Sequence, residues 1–117
     1  MNIFFYATYS NQEEFFHTLK KKFKHDKIYT INDNVDLSKI DVAMVWNLPS
    51  SVFKKMVNLK AIFSIGAGVD HILKLPNIRN LPIIRVKDPT MRIRMYNHVL
   101  SQILIFQLKL KIYDEAQ

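Results

Sequence analysis

Apolar residues along this chain come in short runs, and the spacing between them alternates between two kinds. Asn2 to Thr8 is a compact apolar and aromatic run that predicts a buried strand. Ser10-Asn11-Gln12-Glu13 then has the form of a capping box, in which a serine oxygen and a glutamate satisfy the first free amides of a helix. Phe15, Phe16, Leu19 and Phe23 follow at helical spacing, which carries the helix to about Lys24. Asp26 to Ile31 predicts a second strand, Asn32-Asp33-Asn34 a turn, and Leu37 to Ile40 a single helical turn.

The second half repeats the alternation. Asp41 to Trp46 holds the unbroken run Val42-Ala43-Met44-Val45, as expected of a strand covered on both faces of a parallel sheet. Pro49 suits the first position of a helix whose stripe is Val52, Phe53, Met56 and Val57, with Asn58 as its stop. Lys60 to Ile65 reads as the next strand, Val69 to Leu73 as a turn or two of helix, Pro76 to Pro82 as a loop, and Ile83 to Val86 as a fifth strand. Asp88-Pro89-Thr90 opens a last helix that continues to about Ala116. Strands alternating with helices across short connections predict an α/β fold: a doubly wound, mostly parallel five-stranded sheet with a long C-terminal helix.

That last helix is apolar over a wide arc. Met95, Val99, Ile103, Phe106 and Leu110 form one stripe, and Leu100, Leu104, Leu108 and Ile112 a second. Such a face has more than one neighbour: either it is buried within the domain, or part of it is a partner surface.

Composition narrows the function classes. A chain of 117 residues fits one domain. The absence of cysteine removes disulfides, thiolate metal sites and a cysteine nucleophile, and is compatible with a cytoplasmic location. The N-terminal run Met1 to Tyr6 lacks the basic flank of a leader, and no run reaches the ~18 apolar residues of a membrane span. The net charge of +7 raises a nucleic-acid partner, but the lysines are scattered and the only arginines are Arg79, Arg85, Arg92 and Arg94. The densest cluster, Lys20-Lys21-Lys22 with Lys24, falls where a helix C-terminus favours cations. Nucleic acid is therefore the least favoured partner.

One segment carries candidate chemistry. Gly66-Ala67-Gly68-Val69-Asp70 contains the chain's only two glycines and lies where a strand gives way to a helix. In open α/β sheets ligands collect at the carboxyl ends of strands, and successive amides in such a turn suit an anion, a carboxylate above all. The same residues also read as a structural turn needing glycine for a positive φ. The dinucleotide fingerprint is absent, because its third glycine position is His71, and no phosphate-binding Gly-Lys-Ser/Thr occurs. His71, His98, His17 and His25 form no catalytic or metal-binding cluster in the sequence, and Arg92 and Arg94 read as an exposed helix start.

The run from Leu59 through Gly66-Ala67-Gly68-Val69-Asp70-His71 to Leu73 resembles the substrate-loop signature of the D-isomer-specific 2-hydroxyacid dehydrogenases, within them the glyoxylate/hydroxypyruvate reductase A branch. Val42 to Trp46 before it, and Leu81 to Pro89 and Met95 to Leu100 after it, extend the similarity. The resemblance implies a flavodoxin-like substrate-binding domain, spanning residues 1–117, in which the backbone of Ala67, Gly68 and Val69 holds the carboxylate of a 2-oxo acid and Trp46 lines the pocket. In that family an NAD(P)-binding domain and the catalytic Arg, Glu and His come later in the chain. The resemblance thus implies a domain truncated before them, without its own catalytic, cofactor or metal residues and not active alone. The helix from about residue 88 would cross to that missing domain. An assembly module using the last helix, as a homo-oligomer, is the competing expectation.

Overall fold

The computed structural model describes residues 1–9 and 11–116. They form two compact units, Met1–Val86 and Lys87–Gln117. The first unit is a five-stranded sheet in the order β2-β1-β3-β4-β5. Its strands are β1 (Asn2–Tyr6), β2 (Lys27–Tyr29), β3 (Val42–Val45), β4 (Ala61–Ser64) and β5 (Ile83–Arg85). Every neighbouring pair is parallel, and the order is that of flavodoxin-like folds. Between the strands lie α1 (Gln12–Lys22), α2 (Ser50–Phe53) and α3 (Asp70–Leu73), with single 3-10 turns at Leu37–Lys39 and Ile78–Asn80.

Side chains alternate across the strands and build two cores. Phe4, Ala43, Val45 and Ile62 face Ile40, Leu48, Met56, Ile72, Leu75 and Ile78 on one side. Phe5 and Ala7 meet Leu19 of α1 on the other, with Phe15, Phe16, Met44 and Trp46 packed around them. The strands read from the apolar runs are all present, β1 and β5 trimmed at the C-terminal end and the other three at both ends.

The helices differ more. The capping box hinges on Ser10, which lies outside the described residues; Asn11 occupies the N-cap of α1 and makes no side-chain cap bond. The helix read from Pro49 to Asn58 is only the single turn α2, with Pro49 as its N-cap rather than its first residue. Met56 is buried by a chain that has already turned, while Val57 is 72% exposed. The apolar spacing there reflects a folded-over loop and not a helical stripe.

The second unit holds α4 (Pro89–Leu108) and α5 (Leu110–Glu115). Asp88 caps α4 by accepting from the Thr90 amide and hydroxyl. The single long helix of the sequence reading is broken at Lys109, which takes a left-handed φ of 51°. A left-handed residue ends the α-helical hydrogen-bond ladder, as at a C-cap. The apolar residues of α4 are largely exposed, Phe106 at 88%, and Arg92, Met95, Tyr96, Val99, Leu100 and Ile103 line a groove of about 340 Å³. No described helix is long and apolar enough to cross a membrane.

Candidate functional site

The parallel register puts Tyr6, Val45, Ser64 and Arg85 in one row across the carboxyl ends of the strands. The candidate site lies just beyond that row. After β3, Trp46 continues the ladder by donating its amide to the Tyr6 carbonyl at 2.8 Å. Asn47 then reverses the chain with a left-handed φ of 56°, so that Leu48 returns to the core. After β4, the Ile65 amide bonds the Val45 carbonyl at 3.2 Å, and the chain enters the Gly66–Val69 loop. Val69 starts α3, accepting from the amides of Ile72 and Leu73 at 2.9 and 3.0 Å, and the fully buried Ile72 anchors that turn in the core.

Neither glycine has a positive φ, so the turn does not need glycine for backbone freedom. The reason lies in Trp46. A Cβ on Gly66 would stand 2.6 Å from Trp46 Cζ3, and one on Gly68 would stand 3.7 Å from Cη2. The indole occupies the space that a side chain on Gly66 would need, whereas one on Gly68 would only touch it at ordinary contact distance. Trp46 and the glycine loop, separate in the sequence, are thus brought together.

Three residues complete the arrangement. Ser64, 3% exposed, donates its hydroxyl hydrogen to the Gly68 carbonyl at 2.6 Å. That hydroxyl also meets His71 Nε2 at 3.3 Å. The other ring nitrogen of His71, Nδ1, accepts from the Asn47 amide at 3.3 Å, and the imidazole packs against the Trp46 indole with 4.4 Å between centroids. From β5, the Arg85 guanidinium reaches the Ala67 carbonyl at 3.4 Å. Burial holds the His71 imidazole below its ordinary pKa, while the Gly68 carbonyl and the Asp70 carboxylate pull in the opposite direction. Among the described residues, no acceptor takes the amides of Gly66, Ala67, Gly68 or Val69. The Ala67 and Gly68 carbonyls are held from outside the loop and its amides are left free.

Ser64, Asn47 and Arg85 were not among the residues singled out from the sequence. Ser64 had a signal: it is a polar residue on the inward side of a strand, in line with Ile62. Asn47 and Arg85 had none, because their roles depend on contacts across strands. His71 lies beside the glycine loop and contacts both Ser64 and the Asn47 amide.

No protein-family model matches the chain. Individual relatives do. The glyoxylate/hydroxypyruvate reductase A of Serratia proteamaculans is 30% identical over 125 residues, covering 100% of this chain and 38% of its own length. That of Salmonella paratyphi B is 31% identical over 112 residues, covering 89% of this chain and 35% of its own. Among solved structures, the NADPH-dependent glyoxylate/hydroxypyruvate reductase of Sinorhizobium meliloti, in complex with NADP and sulfate, superposes with a TM-score of 0.78. It is 31% identical over 97% of this chain and 37% of that chain.

This chain is a partial relative of the 2-hydroxyacid dehydrogenases.

It spans little more than a third of the length of the curated relatives it matches. A probable 2-hydroxyacid dehydrogenase from Rhizobium etli, solved with NADP, HEPES and L(+)-tartaric acid, is 30% identical over 89% of this chain and 34% of its own, with a TM-score of 0.70. In this 2-hydroxyacid dehydrogenase relative, the glycine turn and Trp46 therefore sit on a sheet whose likeness extends along nearly the whole chain.

Proposed function

We propose that this chain is the substrate-binding part of a 2-hydroxyacid dehydrogenase of the glyoxylate/hydroxypyruvate reductase type, working in the cytoplasm. The free amides of Gly66, Ala67, Gly68 and Val69 at the carboxyl ends of the strands carry the reading. They are the donors a 2-oxo acid carboxylate requires, and a hydrogen bond to an ionised acceptor is stronger than a neutral one. Ala67, Gly68 and Val69 hold the carboxylate, Trp46 walls the pocket, and Arg85 adds a cation beside the loop. The tartaric acid bound in the Rhizobium etli dehydrogenase supports a small hydroxy- or oxo-acid as the ligand class. NAD(P) and the groups that move hydride and proton belong to the rest of a family-length protein; this chain contributes substrate binding alone.

Binding through a few amides is weak, on the order of millimolar. Trp46 is the only tryptophan, so its emission reports the pocket directly. Titration of the 117-residue chain with glyoxylate at constant ionic strength is expected to give a saturable change in tryptophan fluorescence. A linear response equal to that of chloride removes the proposal.

The exposed apolar face of α4 supports a second reading alongside the first, in which that helix is covered by a second copy of the chain. The expected result is a mass above 13.8 kDa by light scattering that falls on dilution. A monomer at every concentration leaves a separate cofactor domain as the cover.

A further inference from the structure

The two strand-end loops of the site are joined by one side chain. His71 reaches the turn after β3 through Nδ1 and the loop after β4 through Nε2. The Ser64 hydroxyl has one hydrogen, and the 2.6 Å contact assigns it to the Gly68 carbonyl. Its oxygen must then accept from His71, which puts the ring hydrogen on Nε2. Nδ1 faces the Asn47 N–H, a donor, and so carries no hydrogen. Both contacts require the same neutral tautomer. A second proton could go only to Nδ1, where it would meet the Asn47 amide donor to donor.

Asn47 is also one of the few residues with a left-handed backbone, a conformation that a non-glycine residue holds at some cost. Its amide is fixed by His71, and Trp46, the wall of the pocket, is its immediate neighbour. The charged groups near the imidazole are Asp70, next to it on α3, and Arg85 from β5, whose guanidinium lies on Ala67 of the same loop. From β3 and β4 it is faced by Trp46, Asn47 and Ser64, all neutral.

We propose that His71, neutral and protonated on Nε2, is a positioning residue that ties the Trp46–Asn47 turn to the glycine loop, and that its protonation releases the turn and weakens carboxylate binding. The second half of the inference rests on the carboxylate reading; the tie itself stands on the hydrogen bonds. The sign comes from burial, which favours the neutral ring in the folded chain. The tie is fully present above about pH 6.5, the ordinary histidine value, and is lost as pH falls through the lower value of the folded state.

The test uses the full chain, with Trp46 emission as one readout and glyoxylate as the probe. A protonated imidazole in contact with an indole quenches it, so native emission is expected to fall through a transition centred below about pH 6.5. His71→Asn keeps an acceptor near the Nδ1 position, lacks the Nε2 contact with Ser64 and cannot titrate; it is expected to lose the transition and to weaken glyoxylate binding at pH 7.5 by less than His71→Phe does. His71→Phe keeps the ring packing and removes both hydrogen bonds; it is expected to weaken binding roughly three- to tenfold, the size of one lost hydrogen bond. Native affinity should fall by the same factor across the transition. A transition that survives in His71→Asn overturns the tie. Affinity in His71→Phe equal to the native chain, or native binding that tightens on acidification, overturns its role in binding and leaves the carboxylate reading in place. Absence of glyoxylate binding, with the transition present in the native chain and lost in His71→Asn, removes the carboxylate reading and supports the tie alone.

Discussion

Phe4→Ala is expected to remove about 3–5 kcal/mol from the stability of the sheet unit, the usual cost of truncating a buried phenylalanine. Phe4 is 1% exposed and lies on β1, which is hydrogen-bonded to β2 on one side and β3 on the other. Its ring is the largest fully buried side chain of the unit. It fills the face of the sheet on which Ile40, Val45 and Ile62 also pack. No surface element can collapse into the space without moving a central strand. Against a total stability of roughly 5–15 kcal/mol for a small domain, this loss leaves the unit near its unfolding midpoint. Urea denaturation of the variant beside Phe4→Leu, which keeps most of the volume and should cost less than about 1.5 kcal/mol, checks the claim. Equal midpoints for Phe4→Ala and the native chain contradict it.

Gly66→Ala is expected to cost about 1–3 kcal/mol, the range for forcing an extra carbon into a packed site. The backbone at Gly66 has no positive φ, so alanine brings no conformational strain of its own. The whole penalty is assigned to the 2.6 Å approach of the new carbon to Trp46. That assignment can be separated from other causes with a second substitution. In a Trp46→Ala background, Gly66→Ala should lie within about 0.5 kcal/mol of neutral, because the atom it strikes has gone. In the native background Trp46 emission should shift as the indole is displaced. An undiminished penalty in the Trp46→Ala background would mean that the glycine is required by the loop backbone and not by the ring.

The strands were legible because each is a short run of apolar residues in a chain whose polar segments match helix and turn chemistry. The parallel order followed from the alternation of strand and helix. The failures have particular causes. Val52, Phe53, Met56 and Val57 are spaced as in a helix, yet only Ser50–Phe53 is helical. Met56 reaches the core from a turn, and spacing alone does not distinguish the two. The break at Lys109 falls inside an uninterrupted apolar pattern, and a single left-handed residue leaves no trace in hydrophobic periodicity.

The candidate site divides in the same way. Gly66, Gly68 and Trp46 were visible as residue types at strand ends. The reason for the glycines was not, because it is a contact between residues twenty positions apart in the sequence. The three-way contact of Ser64, His71 and Asn47 depends on the register of β3 against β4. A histidine beside a glycine turn does not by itself reveal which of its nitrogens carries the hydrogen.

The central claim is that free amides of the Gly66–Val69 loop hold a small carboxylate beside Trp46. Amide chemical shifts of the isotopically labelled chain during a glyoxylate titration test it most directly. The account predicts the largest saturable shifts at Gly66, Ala67, Gly68 and Val69, accompanied by the Trp46 indole N–H, with the α4 amides unchanged. Shifts confined to surface lysines, or none at these four amides up to tens of millimolar ligand, well above the ~1 mM range of such weak binding, would contradict it.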